Sequence, residues 1–155
     1  MKKYELTEET VTVYGKTLYR IRAVRDFGSV KTGEFGGYIE KEENLSHFGD
    51  AWVYGDARVF DNARVSGNAW VYGNAEVFNT RHFFVQGPIG SRDGYVTFYR
   101  TKDDTVEVRC GCFSGSLQKF VNQVEETHGG SRYEKEYKLA AELAKVCIRL
   151  EGESR

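Results

Sequence analysis

The chain has 155 residues, a formal net charge of −1 and a pI near 6.3. This balance argues against a protein held on a nucleic-acid polymer by bulk electrostatics, which would be strongly basic, and equally against a strongly acidic mimic of DNA. Seventeen glycines against one proline indicate many tight turns in a regular architecture.

Three further features of the sequence predict a cytoplasmic protein without a membrane partner. The opening MKKYELTEET lacks the apolar core of a signal peptide. No run approaches the roughly 18 apolar residues of a membrane span. The three cysteines do not suggest a disulfide framework and are typical of a reducing compartment.

The first predicted element is a β-hairpin over residues 4–24. Two runs rich in β-branched and aromatic residues flank Gly15-Lys16, which is a typical turn. The glycine-rich segment that follows is irregular, and a strict repeat begins near residue 51.

Residues 51–78 repeat every six positions, and weaker in-phase positions extend the frame over roughly residues 35–89. A period of six fits neither a simple helix nor a simple hairpin. It fits a triangular coil in which three units make one turn of 18 residues, with small and β-branched side chains inside and Gly-Asn at the corners. The recurring positions are Val53, Val59, Val65, Val71 and Val77, with Ala51, Ala57, Ala63, Ala69 and Ala75.

This pattern resembles the hexapeptide-repeat left-handed β-helix family. An 18-residue coil predicts Trp52 over Trp70, and likewise Tyr54 over Tyr72, Phe60 over Phe78 and Arg58 over Glu76. The aromatic residue after each valine is expected to point outward. Such a row predicts a subunit or domain interface, with a ligand-stacking platform as the alternative.

The C-terminal part, from residue 89, predicts a ββαα domain. Two alternating runs flank Thr101–Asp104, and Ser116 is a suitable N-cap for a helix that stops at His128-Gly129-Gly130. A second helix is predicted from about Tyr133 to Leu150. About 65 residues is a small domain, so we expect it to need a partner, most simply a second copy of the chain. The predicted apolar faces are Leu117, Phe120, Val121 and Val124 on the first helix, and Tyr137, Ala140, Ala141, Ala144 and Cys147 on the second.

Two kinds of chemistry deserve weighing against structural roles. Many hexapeptide-repeat proteins are acyltransferases with a histidine general base, for which His47 and His82 are the candidates, but neither has a recognisable partner in the sequence. Cys110 and Cys112 with His128 offer three metal ligands, but C-x-C is not the spacing that structural zinc prefers. We therefore expect no catalytic residue, no metal and no cofactor.

A third group of residues suits a nucleotide. Ser91 and Arg92 follow Gly90 in a turn that could offer N–H groups and a guanidinium to phosphate. Arg109, Phe113 and Arg132 add positive charge and an aromatic face on which a base could stack. Taken singly, Arg109 is also compatible with a surface role and Phe113 with a core role.

The run from GSRDGY through CGCFSGSL and THGGSRYEKEY resembles the phage anti-Thoeris sponge family over roughly residues 88–150. Members of that family bind cyclic ADP-ribose-type immune signals without degrading them, some also hold cyclic oligonucleotides, and they assemble as dimers or larger oligomers. The resemblance implies phosphate contacts from Arg92, Arg109 and Arg132, and base stacking on Phe113. It implies hydrogen bonds from Ser91 and His128. This chain departs from the family's pattern in carrying a repeat in front.

The sequence thus predicts a hairpin-capped, short left-handed β-helix over residues 1–88 and a ββαα ligand-binding domain over residues 89–155. The leading function is non-catalytic sequestration of a cyclic nucleotide signal by an anti-defence protein of phage or prophage origin. The alternatives are a hexapeptide-repeat acyltransferase and a structural oligomerisation or protein-interaction module.

Overall fold

The computed structural model describes residues 2–151, which form a mainly β structure with two helices. The chain divides into two compact units, the first ending at Thr80 and the second starting at Arg81. This division lies eight residues before the boundary expected from the repeat.

The first unit is built from seven strands and a 3-10 turn at Glu42–Asn44. The predicted hairpin is confirmed, but its turn is Tyr14-Gly15 rather than Gly15-Lys16, since Val13 pairs with Lys16. One open sheet has the order β1-β2-β3-β5-β7, and β4 pairs with β6 in a second sheet. The strands are β1 (Tyr4–Val13), β2 (Lys16–Ala23), β3 (Phe35–Ile39), β4 (Trp52–Tyr54), β5 (Arg58–Val59), β6 (Trp70–Tyr72) and β7 (Glu76–Val77).

Successive repeats pair in parallel, as the 18-residue spacing predicts. Trp52 lies opposite Trp70 in the β4–β6 pair, and Arg58 lies opposite Glu76 in the β5–β7 pair. Earlier in the chain the step is 20 residues, since Ile39 pairs with Val59, and the 3-10 turn lies in this longer step. Both sheets are open, and their pairing does not show the left-handed β-helix that the repeat predicts. The pairings therefore establish parallel stacking of repeats within a mainly β unit.

The repeated valines and alanines form the interior of this unit, as predicted, because small and β-branched side chains pack closely between stacked strands. Every one of the ten is at most 2% exposed. Their burial explains why the sequence holds these ten positions so strictly.

The expectation that the aromatic residue after each valine points outward is wrong for Phe60, and Trp52, which precedes Val53, is buried as well. Trp52 is 2% exposed and its ring lies 5.1 Å from that of Phe27, while Phe60 is 1% exposed and packs 6.1 Å from the ring of Tyr14. The β1–β2 hairpin and the loop after it cover these rings. Tyr54, Trp70, Tyr72 and Phe78 stay half-buried, and the rings of Tyr54 and Tyr72 lie 4.5 Å apart.

The second unit contains an antiparallel sheet of four strands, ordered β11-β10-β9-β8, where the sequence predicted two. The additional strands are the first and the last of the four. Phe83 pairs with Tyr99 and Phe84 with Phe98, so residues 83–89 join this sheet rather than the repeat. The strands are β8 (Phe83–Ile89), β9 (Gly94–Arg100), β10 (Val106–Cys110) and β11 (Phe113–Ser116).

Two helices complete the second unit, α1 (Leu117–His128) and α2 (Arg132–Cys147). The predicted N-cap is confirmed, since the Ser116 hydroxyl accepts a hydrogen bond of 3.2 Å from the Lys119 N–H. α2 ends three residues before the predicted Leu150. Among the described residues, neither helix is long and apolar enough to cross a bilayer. The helices and sheet share a core that includes Val96, Phe98, Val108, Phe120, Val124, Ala140, Ala141, Ala144 and Ile148.

Candidate functional site

A cavity of about 420 Å³ lies in the second unit, where two turns of the sheet meet both helices. Its wall is drawn from the β8–β9 turn, the β10–β11 turn, one face of α1 and one side chain of α2. The lining residues are Ser91, Arg92, Cys110, Gly111, Cys112, Phe113, Phe120, Gln123, Val124, Thr127, His128 and Tyr137.

Four of the six predicted ligand-binding residues come together here, namely Ser91, Arg92, Phe113 and His128. Arg109 and Arg132 do not line the cavity. Arg109 donates a hydrogen bond of 3.4 Å to the Phe113 carbonyl and thereby spans the β10–β11 turn. Arg132 is exposed at the first position of α2.

The β8–β9 turn approaches α2 very closely at Gly90. Its φ of +82° lies in the left-handed region that favours glycine, and a Cβ built there would stand 1.8 Å from the Tyr137 hydroxyl oxygen. The Gly90 N–H donates to the Glu136 carboxylate at 2.7 Å. A glycine here therefore allows the turn that carries Ser91 and Arg92 to dock against α2.

Aromatic rings form a continuous inner wall. Phe113 lies 5.8 Å from Phe120, and Phe120 meets Tyr137 edge-on at 5.8 Å and 89°. The His128 ring follows at 5.4 Å from that of Tyr137. The Ser131 hydroxyl donates to the His128 carbonyl at 2.6 Å and fixes the end of α1 that carries this imidazole. A planar ligand would thus find rings on one side and polar groups at the mouth.

Tyr137 and Cys110, two inner groups of the cavity, are neutral at pH 7. Burial raises the pKa of Tyr137, with the neighbouring Cys110 and Glu136 adding to the effect and Arg92 opposing it. Burial also raises the pKa of the Cys110 thiol, which Arg109 and a hydrogen bond with Tyr137 partly offset. Cys110 is therefore held as a thiol at neutral pH rather than activated as a nucleophile.

The groups weighed for catalysis and metal binding have other environments. Cys110, Cys112 and His128 all line the cavity, but within residues 2–151 no three His, Cys, Asp or Glu side chains are grouped so that they could hold a metal ion. Both ring nitrogens of His47 are engaged by other groups of the first unit. His82 is 5% exposed.

Sequence reasoning missed Tyr137, Gln123 and Thr127 as cavity residues. Tyr137 lies on the predicted apolar face of α2, and its hydroxyl and ring also approach Gly90 beside the cavity. Gln123 donates to the Thr127 hydroxyl at 3.0 Å along the exposed side of α1. The available signal was spacing, because positions 124, 127 and 128 share one helical face with 120.

A second depression of about 350 Å³ in this unit contains none of the six predicted residues, and it lies at the opposite end of α1, beside Ser116 and Leu117.

No protein-family model matches this chain, and no curated protein matches it in sequence. The geometry of the cavity therefore carries the functional argument.

Proposed function

We propose that the second unit binds a cyclic nucleotide signal, of the cyclic ADP-ribose or cyclic oligonucleotide class, and holds it without chemical change. This is the role of the phage anti-Thoeris sponge family that the C-terminal sequence resembles. In this proposal the protein counters a nucleotide-based immune response in the cytoplasm of a bacterial host.

One observation carries the proposal. The pair Ser91-Arg92, Phe113 and His128 come from three separate parts of the sequence, are predicted from the sequence alone, and line the same cavity. They supply a guanidinium for phosphate, an aromatic face for a base, and hydroxyl and imidazole groups for hydrogen bonds. Tight holding without turnover needs a matched, partly desolvated pocket and no activated nucleophile, which agrees with the raised pKa of Cys110.

The first test is a thermal-shift screen of the purified protein against cyclic ADP-ribose isomers and cyclic di- and trinucleotides. A ligand that binds only the folded state raises the melting temperature, by mass action. We expect a shift with at least one compound, and we expect heat to release that compound unchanged, as judged by mass spectrometry. Recovery of a cleaved or acylated product would contradict the proposal, and so would the absence of any shift across the panel.

Arg92 and Arg132 provide a matched pair of variants, since both are exposed arginines selected from the sequence but only Arg92 lines the cavity. Arg92→Ala is expected to weaken binding of the compound found in the screen about tenfold or more, because it removes a charged hydrogen-bond donor. Arg132→Ala is expected to change affinity less than about twofold. Calorimetric titration of both variants gives the comparison. Equal effects would place the phosphate contact outside this cavity.

We also propose that residues 51–78 form a short left-handed β-helix that acts as scaffold. The parallel 18-residue pairings Trp52–Trp70 and Arg58–Glu76 support this, because a triangular coil of three six-residue sides gives that register. An experimental structure in which the coil turns in the right-handed sense would contradict it.

Self-association belongs to the same proposal. α2 exposes three apolar side chains along one side, with Leu139 at 69%, Leu143 at 46% and Val146 at 70%. Such a row is typical of a surface that another protein covers. Light scattering should give a mass of at least two chains, and a monomer at working concentration would remove this part of the proposal.

A further inference from the structure

The backbone and the side chain of Lys3 both attach the start of β1 to residues 42–51. The Lys3 backbone N–H donates to Nδ1 of His47 at 3.0 Å. Its side chain is fully buried, donates to the Ala51 carbonyl at 2.6 Å, and lies 4.7 Å above the Phe27 ring. The neighbouring Tyr4 stacks on the His47 ring at 4.1 Å.

The hydrogen bonds of His47 fix its tautomer. Nε2 lies 2.9 Å from the Glu42 carboxylate, whose pKa is lowered mainly by this hydrogen bond, with Lys2 also contributing. An ionised carboxylate only accepts, so Nε2 carries the hydrogen. Nδ1 must then present its lone pair to the Lys3 N–H. The imidazole is therefore neutral in this arrangement, and both nitrogens are committed.

We propose that His47 is an acid-sensitive latch for the first strand. A second proton on the ring has to occupy Nδ1, where it removes the acceptor of the Lys3 N–H and sets one N–H against another. The ring must then turn away from Lys3, which also breaks its stacking on Tyr4. Acidification would thus loosen the start of β1 from residues 42–51 while the hairpin farther along stays paired.

The charges around His47 oppose one another, which suits a switch. Glu42 favours the imidazolium through its contact with Nε2, and Asp50 attracts the neighbouring Lys3 ammonium. The Lys3 ammonium and Arg25, whose guanidinium donates to the His47 carbonyl at 3.2 Å, disfavour it. The Lys2 ammonium lies 3.4 Å from the Glu42 carboxylate in an exposed ion pair. Tyr4 contributes no charge, because burial raises the pKa of its hydroxyl. Proton uptake therefore replaces one favourable hydrogen bond with repulsion from buried neighbours.

Two substitutions at His47 distinguish the roles of its two ring nitrogens. His47→Asn retains an acceptor near the Nδ1 position and cannot take a proton, whereas His47→Gln retains a donor near Nε2 and loses the acceptor for Lys3. Backbone hydrogen exchange, corrected for the intrinsic pH effect, is measured by mass spectrometry on the intact chain near pH 7.5 and near pH 5, the range in which histidine changes charge. Peptides from α2 serve as the internal reference.

We expect exchange of residues 3–6 in the wild type to accelerate about tenfold at the lower pH relative to α2, as for the loss of one hydrogen bond. His47→Asn should stay slow at both pH values, and His47→Gln should be fast at both. A pH response in His47→Asn equal to that of the wild type would overturn the latch, as would no response in the wild type. Glu42→Gln gives an independent check, because removing the carboxylate should move the opening to lower pH, and an unchanged profile would also overturn it.

Discussion

Replacing Asn44 by alanine should lower the free energy of unfolding of the first unit by about 3–5 kcal/mol. Its side chain is fully buried and makes four hydrogen bonds to the backbone. The amide oxygen accepts from the N–H groups of Glu40 and Lys41, and the amide nitrogen donates to the carbonyls of Asp61 and Ala63. Alanine would remove this partner from all four groups, of which the Glu40 N–H keeps the Val59 carbonyl at 3.2 Å, and it would also open a cavity beside the buried Ala63 carbonyl.

The two tryptophans make this effect measurable, because Trp52 and Trp70 both belong to the first unit. Urea unfolding followed by tryptophan fluorescence therefore reports this unit alone. Asn44→Asp keeps the shape but sets carboxylate oxygens against two carbonyls, so it should be as harmful as alanine. Asn68→Ala, at an exposed corner of the repeat, should cost less than about 0.5 kcal/mol. Equal losses for Asn44→Ala and Asn68→Ala would contradict the structural role.

The contrast between these asparagines shows what the repeat could and could not reveal. The six-residue period predicted the pairing of Trp52 with Trp70, because pairing in a stack follows from the count alone. It did not predict the burial of Trp52 and Phe60, since the residues that cover them lie outside the repeat, in the hairpin and the following loop. Asn44 precedes the strict repeat and bridges to residues 17 and 19 positions later, a role that no local pattern signals.

The second unit divides in the same way. The cap at Ser116 and the end of α1 at His128 were predictable, because caps are local chemistry. Strand β11 was missed because FSGS is a polar, glycine-containing run that is strand only through its pairing with β10. The division of the arginines was also not predictable. Whether the side chain of Arg92 or of Arg109 reaches the cavity depends on the direction in which it projects from its turn. Tertiary contacts, such as the packing of Gly90 on Tyr137, set that direction.

Replacing Gly90 by alanine should therefore damage the cavity more than any other single methyl group added to its wall. The new Cβ would lie 1.8 Å from the Tyr137 hydroxyl oxygen and 2.4 Å from the ring carbon that bears it, so either the turn or the ring must move. The backbone φ of +82° adds strain of about 1–2 kcal/mol. We expect a total loss of about 3–4 kcal/mol in the second unit, together with loss of nucleotide binding.

Gly130 offers a control for the backbone component, since its φ of +83° is almost the same and a Cβ there would meet nothing within 4 Å. Gly130→Ala should lower the free energy of unfolding by only about 1–2 kcal/mol. Circular-dichroism melting of Gly90→Ala and Gly130→Ala gives both losses, and the difference between them isolates the contact with Tyr137. Adding Tyr137→Phe to Gly90→Ala should recover part of that difference, because it removes the hydroxyl but leaves the ring. If the two alanine variants melted alike and both bound nucleotide as the wild type does, the docking of this turn on α2 would not be what builds the cavity. Recovery of stability without recovery of binding in the double variant would instead assign the Tyr137 hydroxyl itself to the ligand.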